Sequence, residues 1–289
     1  MQTGETTNAA ILNVMKKSKT NFFYSSVFLN KPKREGLRVI YAFCRMTDDI
    51  VDNEELTVAE KSIEIKKWKD RLNDSLYNNS DDPFFNMLRE KIEYFKIPHK
   101  PFFDLIEGME MDIVKDRYDN FDELYRYCYC AASSVGLMSI EIFGYKNEDI
   151  KRFAEYLGIA LQLTNIIRDI KKDALNGRIY LPQEDLIKFN YSESDLINSR
   201  YNEEFKKLLS FEFDRAVEYY RKADSFLKKE DKGYMLAARI MEHIYFDLLK
   251  KIKSLNYNVY ENNVRIPKLK KLFWAYSVYF KYKLLYQTK

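Results

Sequence analysis

The sequence predicts an all-α helical bundle, and three observations carry that expectation. Apolar residues recur at helical spacing through most of the 289 residues, as in Leu37, Ile40, Tyr41 and Cys44, and again in Ile244, Leu248 and Ile252. Only eight Gly and six Pro interrupt the chain, which favours long helices. Strand-like alternation is nearly absent.

The breaks set the elements in order. A first strongly periodic segment runs through Leu37–Cys44 into the acidic run AFCRMTDDIVD, and the next break falls at Asn78-Asn79-Ser80-Asp81-Asp82-Pro83. Further breaks follow at Pro98 to Pro101, at Gly144-Tyr-Lys-Asn, at Asn176-Gly177, at Asn190 to Ser194, and from Lys229 to Gly233. Between them the pattern predicts about eight to ten helices. No linker, repeat period or low-complexity tract divides the chain, so residues 1–289 read as one domain. The final stretch, LFWAYSVYFKYKLLYQTK, fits two expectations: a helix covering the bundle with aromatics inward and lysines outward, or a helix resting against a membrane surface.

Composition narrows the function classes. The net charge of +4 comes from 48 basic and 44 acidic residues in close mixture, so it points to no nucleic-acid partner. Cys44, Cys128 and Cys130 are odd in number and form no spaced metal pattern, and only His99 and His243 could join them. A reducing cytoplasm is the expected compartment. The N-terminal MQTGETTNAAILNVMKK carries no basic start followed by an apolar core, so no secretion signal is expected. No apolar run reaches the roughly 18–20 residues that span a bilayer.

The acidic residues carry the chemistry. Asp48 and Asp52 are four apart, on one helical face about one turn or ~6 Å from each other, and Asp49 flanks them. In LQLTNIIRDIKKD, Asn165, Asp169 and Asp173 recur every fourth residue, with Gln162 one turn earlier and Arg168 at the border. Both helices are otherwise strongly apolar, and an unpaired buried carboxylate is costly. Neutralisation by Arg45, Arg168, Lys171 and Lys172 is one solution. A divalent cation is the other, and oxygen-only ligands select a hard ion such as magnesium, held with water and substrate phosphates. Neither glycine-rich nucleotide loop is present. A diphosphate clamped between two acidic walls is therefore expected, with Arg45, Lys17, Arg178 and Arg265 holding outer oxygens. The 23 Tyr and 20 Phe suit an apolar tunnel that stabilises a carbocation.

The residues YAFCRMTDDIVD (Tyr41–Asp52), GMEMD (Gly108–Asp112), YRYCY (Tyr125–Tyr129), LQLTNIIRDIKKD (Leu161–Asp173) and GRIYLPQEDL (Gly177–Leu186) strongly resemble the squalene and phytoene synthases. These are head-to-head prenyl diphosphate condensing enzymes. The resemblance runs from about Ser18 to about Lys271. It implies an isoprenoid-synthase helical bundle around a central active-site cavity. It also implies magnesium ligands at Asp48, Asp49, Asp52, Asn165, Asp169 and Asp173, and diphosphate contacts from Arg45, Gln162, Asn165, Arg168 and Arg265. Tyr41, Tyr127 and Tyr180 match tyrosines of the reaction cavity, Tyr127 being the side chain suited to proton transfer. Asn21 stands where the family carries a serine.

The implied reaction joins two farnesyl diphosphates to presqualene diphosphate. It continues to squalene only with hydride from NADPH, or to dehydrosqualene or phytoene by proton loss. The motifs look closest to bacterial presqualene diphosphate synthases of the hopanoid-associated pathway. Ser133, where the family often has glycine, is expected to narrow a tail tunnel and favour farnesyl chains. A terpene cyclase and an inactive lipid-binding helical scaffold are the competing readings.

Overall fold

The computed structural model describes residues 25–285. Twelve α-helices account for most of them: α1 Lys31–Val51, α2 Val58–Tyr77, α3 Pro83–Phe95, α4 Lys100–Val114, α5 Phe121–Cys128, α6 Ser134–Phe143, α7 Ile150–Leu175, α8 Gln183–Lys188, α9 Glu193–Ile197, α10 Glu203–Phe226, α11 Leu236–Ser254 and α12 Lys268–Leu285. A π-helical turn, Tyr129–Ser133, joins α5 to α6. The helices outnumber the eight to ten expected, for a local reason. Each of the turns at Asp52–Thr57 and Lys115–Asn120 contains no glycine or proline, so neither announces itself. Both end instead on side-chain caps. Thr57 and Glu60 form a reciprocal capping box at the start of α2, and Asn120 accepts from the Glu123 amide at the start of α5.

The longest helix, α7, is the axis of the fold. It packs against α10 along most of its length, and against α6, α11 and the π turn. Its buried face carries Leu163, Ile166, Ile167 and Ile170, while Thr164 meets Tyr220 of α10 at 3.0 Å. A separate layer forms where α1 packs on α2, α3, α4 and α6. Trp68 of α2 donates to Thr47 of α1 at 2.9 Å and so fixes the two helices in register.

Two glycines let the π turn sit between α4 and α7. A Cβ on Gly108 would stand 3.0 Å from the Ala131 nitrogen, and one on Gly158 would stand 2.5 Å from the Ser133 Cα. The turn thus touches backbone on both sides. Gly158→Ala is expected to destabilise the protein by about 1–3 kcal/mol, because main chain rather than a flexible side chain must move. Thermal unfolding would measure it, and an unchanged midpoint would refute the close approach.

An isolated parallel bridge pairs Arg117 with Ile179. Ile179 N donates to Asp116 O and Gln183 N donates to Tyr118 O, both at 2.9 Å. The loop after α7 is thereby laid beside the loop after α4. Helical periodicity contains no trace of this pairing, which is what delivers Tyr180 to the site.

The last helix covers α11, as one of its two expectations has it, but not with its aromatics all inward. Ala275, Val278 and Tyr282 are buried against Ile240 and Ile244 of α11, but Phe273, Tyr276 and Phe280 are exposed. Its aromatics are divided between the two faces rather than turned inward.

Candidate active site

The acidic run ends α1. Arg45 lies one turn earlier and binds Asp48 at 2.8 Å and Asp49 at 2.6 Å, and Arg178 stands 3.9 Å from Asp52. Tyr41, half-buried one turn before Arg45, is near enough for their charges to interact. On α7 the buried face leaves Gln162, Asn165, Arg168, Asp169 and Asp173 as a half-buried stripe. Arg168 holds Asp169 through Nε at 2.8 Å and through a second, shorter contact, and Asn165 donates to Gln162 at 3.4 Å.

Neutralisation by arginine is therefore real, yet it leaves the walls electrostatically unsatisfied. Burial, followed by the charge of Asp52, pushes the Asp48 carboxyl up to about 6, with Arg45 only partly opposing it. Burial, followed by Asp169, pushes Asp173 up to about 7. The Oδ1 atom of Asn165 is buried with no hydrogen-bond partner, which is rare for an amide oxygen. Carboxylates crowded enough to resist ionisation, beside an orphaned amide oxygen, form the oxygen donor set a hard divalent cation prefers. Among the described residues no three His, Cys, Asp or Glu side chains converge closely enough to hold an ion alone. A cation here would complete its shell with water and ligand oxygens, as magnesium commonly does.

Between the walls lies Asp112, at the end of α4. Its charge raises the carboxyls of both Asp48 and Asp173. Tyr127 donates to its Oδ2 at 2.9 Å and Tyr180 to its Oδ1 at 2.8 Å. The two tyrosine rings stack at 5.1 Å, and Tyr118 packs against them at 5.6 and 5.9 Å. Burial pushes Asp112 above the usual carboxylate range, with Arg178 and the two phenols opposing. Burial and Asp112 together push the Tyr127 phenol far above its ordinary value, so it stays protonated.

Anion-binding groups gather beyond α7. A cleft of about 970 Å³ is lined by Arg168, Asp169, Lys172, Arg265, Lys268 and Lys271, among others. Burial, followed by Arg168, Arg265 and Lys268, lowers the Lys271 ammonium pKa. Such a concentration of positive charge suits a phosphate-rich ligand. A second, apolar cavity of about 120 Å³ lies among Ala132, Gly136, Phe143, Phe153, Leu157 and Met241. Ser133 does not enter it as expected: its hydroxyl donates to the Glu155 carbonyl at 2.7 Å, and the residue is fully buried against Gly158. The π turn rotates that position into helix backbone and gives the cavity wall to Ala132 instead.

The structure thus brings Arg45, Asp48 and Asp49 together, Arg168 with Asp169 and Arg265, and Tyr127 with Tyr180. Asn21 and Lys17 lie outside the described residues. The sequence marks Gly108–Asp112 as a motif but gives Asp112 no role, and it gives none to Tyr118 or Lys271. Asp112 is one of four acidic residues on its helix, with Asp104, Glu107 and Glu110, so nothing local singles it out.

Two half-buried acidic stripes thus lie near a basic cleft, with an apolar cavity elsewhere in the bundle. Comparison with known proteins gives the class. Residues 15–271 match the squalene/phytoene synthase family. The 15-cis-phytoene synthase of Synechococcus elongatus is 34% identical over 265 residues, covering 87% of this chain and 85% of that protein. The 15-cis-phytoene synthase of Synechocystis sp. is 33% identical over 265 residues, with coverages of 88% and 78%. Among solved structures, a dehydrosqualene synthase in complex with ligand superposes with a TM-score of 0.85 at 26% identity, covering 98% of this chain and 99% of the other. Squalene synthase HpnC from Alicyclobacillus acidocaldarius gives 0.79 at 25% identity, with coverages of 86% and 94%.

The chain belongs to the squalene/phytoene synthase family. Members of that family are prenyltransferases acting on prenyl diphosphates and generally depend on a divalent metal.

Proposed function

We propose that this protein joins two farnesyl diphosphates head to head, giving presqualene diphosphate. The observation that supports this most directly is the pair of under-neutralised acidic walls, with Asp112 between them, beside a basic cleft. Asp48, Asp49 and Asp52 on one side and Asn165, Asp169 and Asp173 on the other are the residues that would hold magnesium. Bound there, magnesium would neutralise diphosphate charge and make it a better leaving group. Arg45, Gln162, Arg168 and Arg265 grip outer oxygens of the diphosphates.

The C1–O bond of the first substrate breaks, its electrons leaving with diphosphate, and the double bond of the second substrate attacks the allylic cation. The resulting tertiary cation loses a proton as the cyclopropane closes. Tyr127 is placed to accept that proton on Oη while passing its own to Asp112 Oδ2, 2.9 Å away. The raised carboxyl of Asp112 makes it the better acceptor. Stacked Tyr118, Tyr127 and Tyr180 face the cation with π electrons and exclude water.

The apolar cavity, bounded by Phe143 and Phe153, and the likeness to a dehydrosqualene synthase structure support the shorter farnesyl chain. The names of the cyanobacterial relatives favour a second reading, geranylgeranyl diphosphate converted to phytoene. Incubation with magnesium and either diphosphate, with and without NADPH, separates the two by mass spectrometry of dephosphorylated products. Presqualene alcohol from farnesyl diphosphate, regardless of NADPH, is expected. Squalene appearing only with NADPH would extend the reaction by a hydride transfer, and turnover of geranylgeranyl diphosphate alone would overturn the assignment.

A further inference from the structure

The outer face of α12 is a stripe of Leu269, Leu272, Phe273, Tyr276, Phe280 and Leu284, all exposed, from 39% at Leu272 to 81% at Leu269. At 3.6 residues per turn these six positions fall within roughly 120° of arc. The opposite arc is the one occupied by Ala275, Val278 and Tyr282 against α11. The helix is therefore apolar on two sides, and among the described residues α11 covers one of them while Phe28 touches the other, at Tyr276. A soluble helix that merely covers a bundle has no reason to present aromatic rings to water.

Charge decides what suits the open side. The helix Lys268–Leu285 contains no Asp or Glu. Lys268 and Lys281 are exposed and flank the stripe on either side, while Lys270 is held by Asp247 at 3.0 Å. An apolar, aromatic strip bordered by lysines matches an anionic bilayer surface, where rings enter the headgroup boundary and ammonium groups meet lipid phosphates. None of the described helices is long and apolar enough to cross a membrane, so this contact lies in the interface.

The strip also continues beyond the helix. Phe28 stacks on Tyr279 at 4.2 Å and meets Tyr276 edge-on at 5.4 Å, and neighbouring Val27 is exposed. Ala237, Ala238 and Met241 of α11, the helix on which α12 packs, line the apolar cavity.

We propose that α12 seats this protein on anionic membrane surfaces, lying in the plane of the lipid headgroups with Phe273, Tyr276 and Phe280 inserted. The contact is independent of the catalytic assignment and is read without substrate. Flotation of the full chain with phosphatidylcholine vesicles containing about one-third phosphatidylglycerol tests it. Wild-type protein is expected to float with these vesicles, less with phosphatidylcholine alone, and less at high salt. The F273S/F280S double variant is expected to lose at least about tenfold in partitioning with unchanged circular dichroism, since both residues already contact water. Lys281→Glu is expected to lower binding to the anionic vesicles about fivefold or more and to leave the weaker phosphatidylcholine binding in place. Failure of the wild type to float, or equal flotation of F273S/F280S, would overturn the proposal. So would light scattering that shows a wild-type dimer which the double variant converts to monomer, because a second copy would then cover the strip.

Discussion

Asp48→Asn is expected to lower turnover by about 10³-fold and to raise the magnesium concentration needed for half-maximal rate. The folded protein should meanwhile be no less stable. Both halves follow from one electrostatic fact. In the folded chain Asp48 is pushed up to about 6 by burial and by Asp52, and Arg45 does not restore it. A carboxylate in that position costs stability, so an uncharged amide of the same shape relieves the chain. Arg45 keeps Asp49 as a partner at 2.6 Å. Were Asp48 simply half of a structural ion pair, the variant would lose stability and keep its turnover. Steady-state rates across a magnesium titration, read beside thermal unfolding, distinguish these outcomes directly.

Arg215→Met is expected to cost about 3–5 kcal/mol of stability. The Arg215 guanidinium is the shared partner of Asp185 at 2.7 Å and Glu212 at 2.8 Å, and both carboxylates are almost wholly buried. It also lies over the Phe121 ring at 4.2 Å, so α5, α8 and α10 meet at one cation. Burial already pushes Glu212 up to about 8 from an ordinary 4.5, with Arg215 opposing the shift. Without the guanidinium only the upward push remains. A carboxyl raised in the folded state binds its proton more tightly there than in the unfolded chain, so stability falls as pH rises from 4.5 through about 8. Wild type and variant share that fall, so the penalty in the variant should stay level across that window and grow above about 8, where Glu212 ionises in the wild type but not in the variant. Denaturant unfolding at several pH values measures both size and sign, and a penalty independent of pH would contradict the buried triad.

Much of the site could be read from residue order because it is built within single helices. Asp48 and Asp52, or Asn165, Asp169 and Asp173, share a face by virtue of spacing alone. Their chemistry follows from being polar where everything around them is apolar. Asp112 escaped the same logic. It is one carboxylate near the end of one helix, and its importance lies in two hydroxyls that arrive from residues 127 and 180. Ser133 failed in the opposite direction. Serine in place of the family's glycine suggested a narrowed tail tunnel, but Ser133 lies in a π turn, where its hydroxyl donates to the Glu155 carbonyl and the residue packs on Gly158 of α7. The ends of α1 and α4 were missed because they are fixed by caps and long-range pairing rather than by Gly or Pro.

The sequence by itself determined the helical class, the breaks marked by Gly, Pro and Asn clusters, and the two acidic stripes, because each depends on periodicity or on local backbone preference. Only the tertiary structure decided how those stripes come to act together. The Arg117–Ile179 bridge carries Tyr180 to Asp112, Gly108 and Gly158 admit the π turn, and the loop before α12 brings Arg265 to Arg168. Each of these is a contact between segments tens of residues apart, whose geometry is set by packing. It likewise decided which face of α12 meets α11: an amphiphilic stretch records two apolar sides, and only the position of α11 shows which of them it covers.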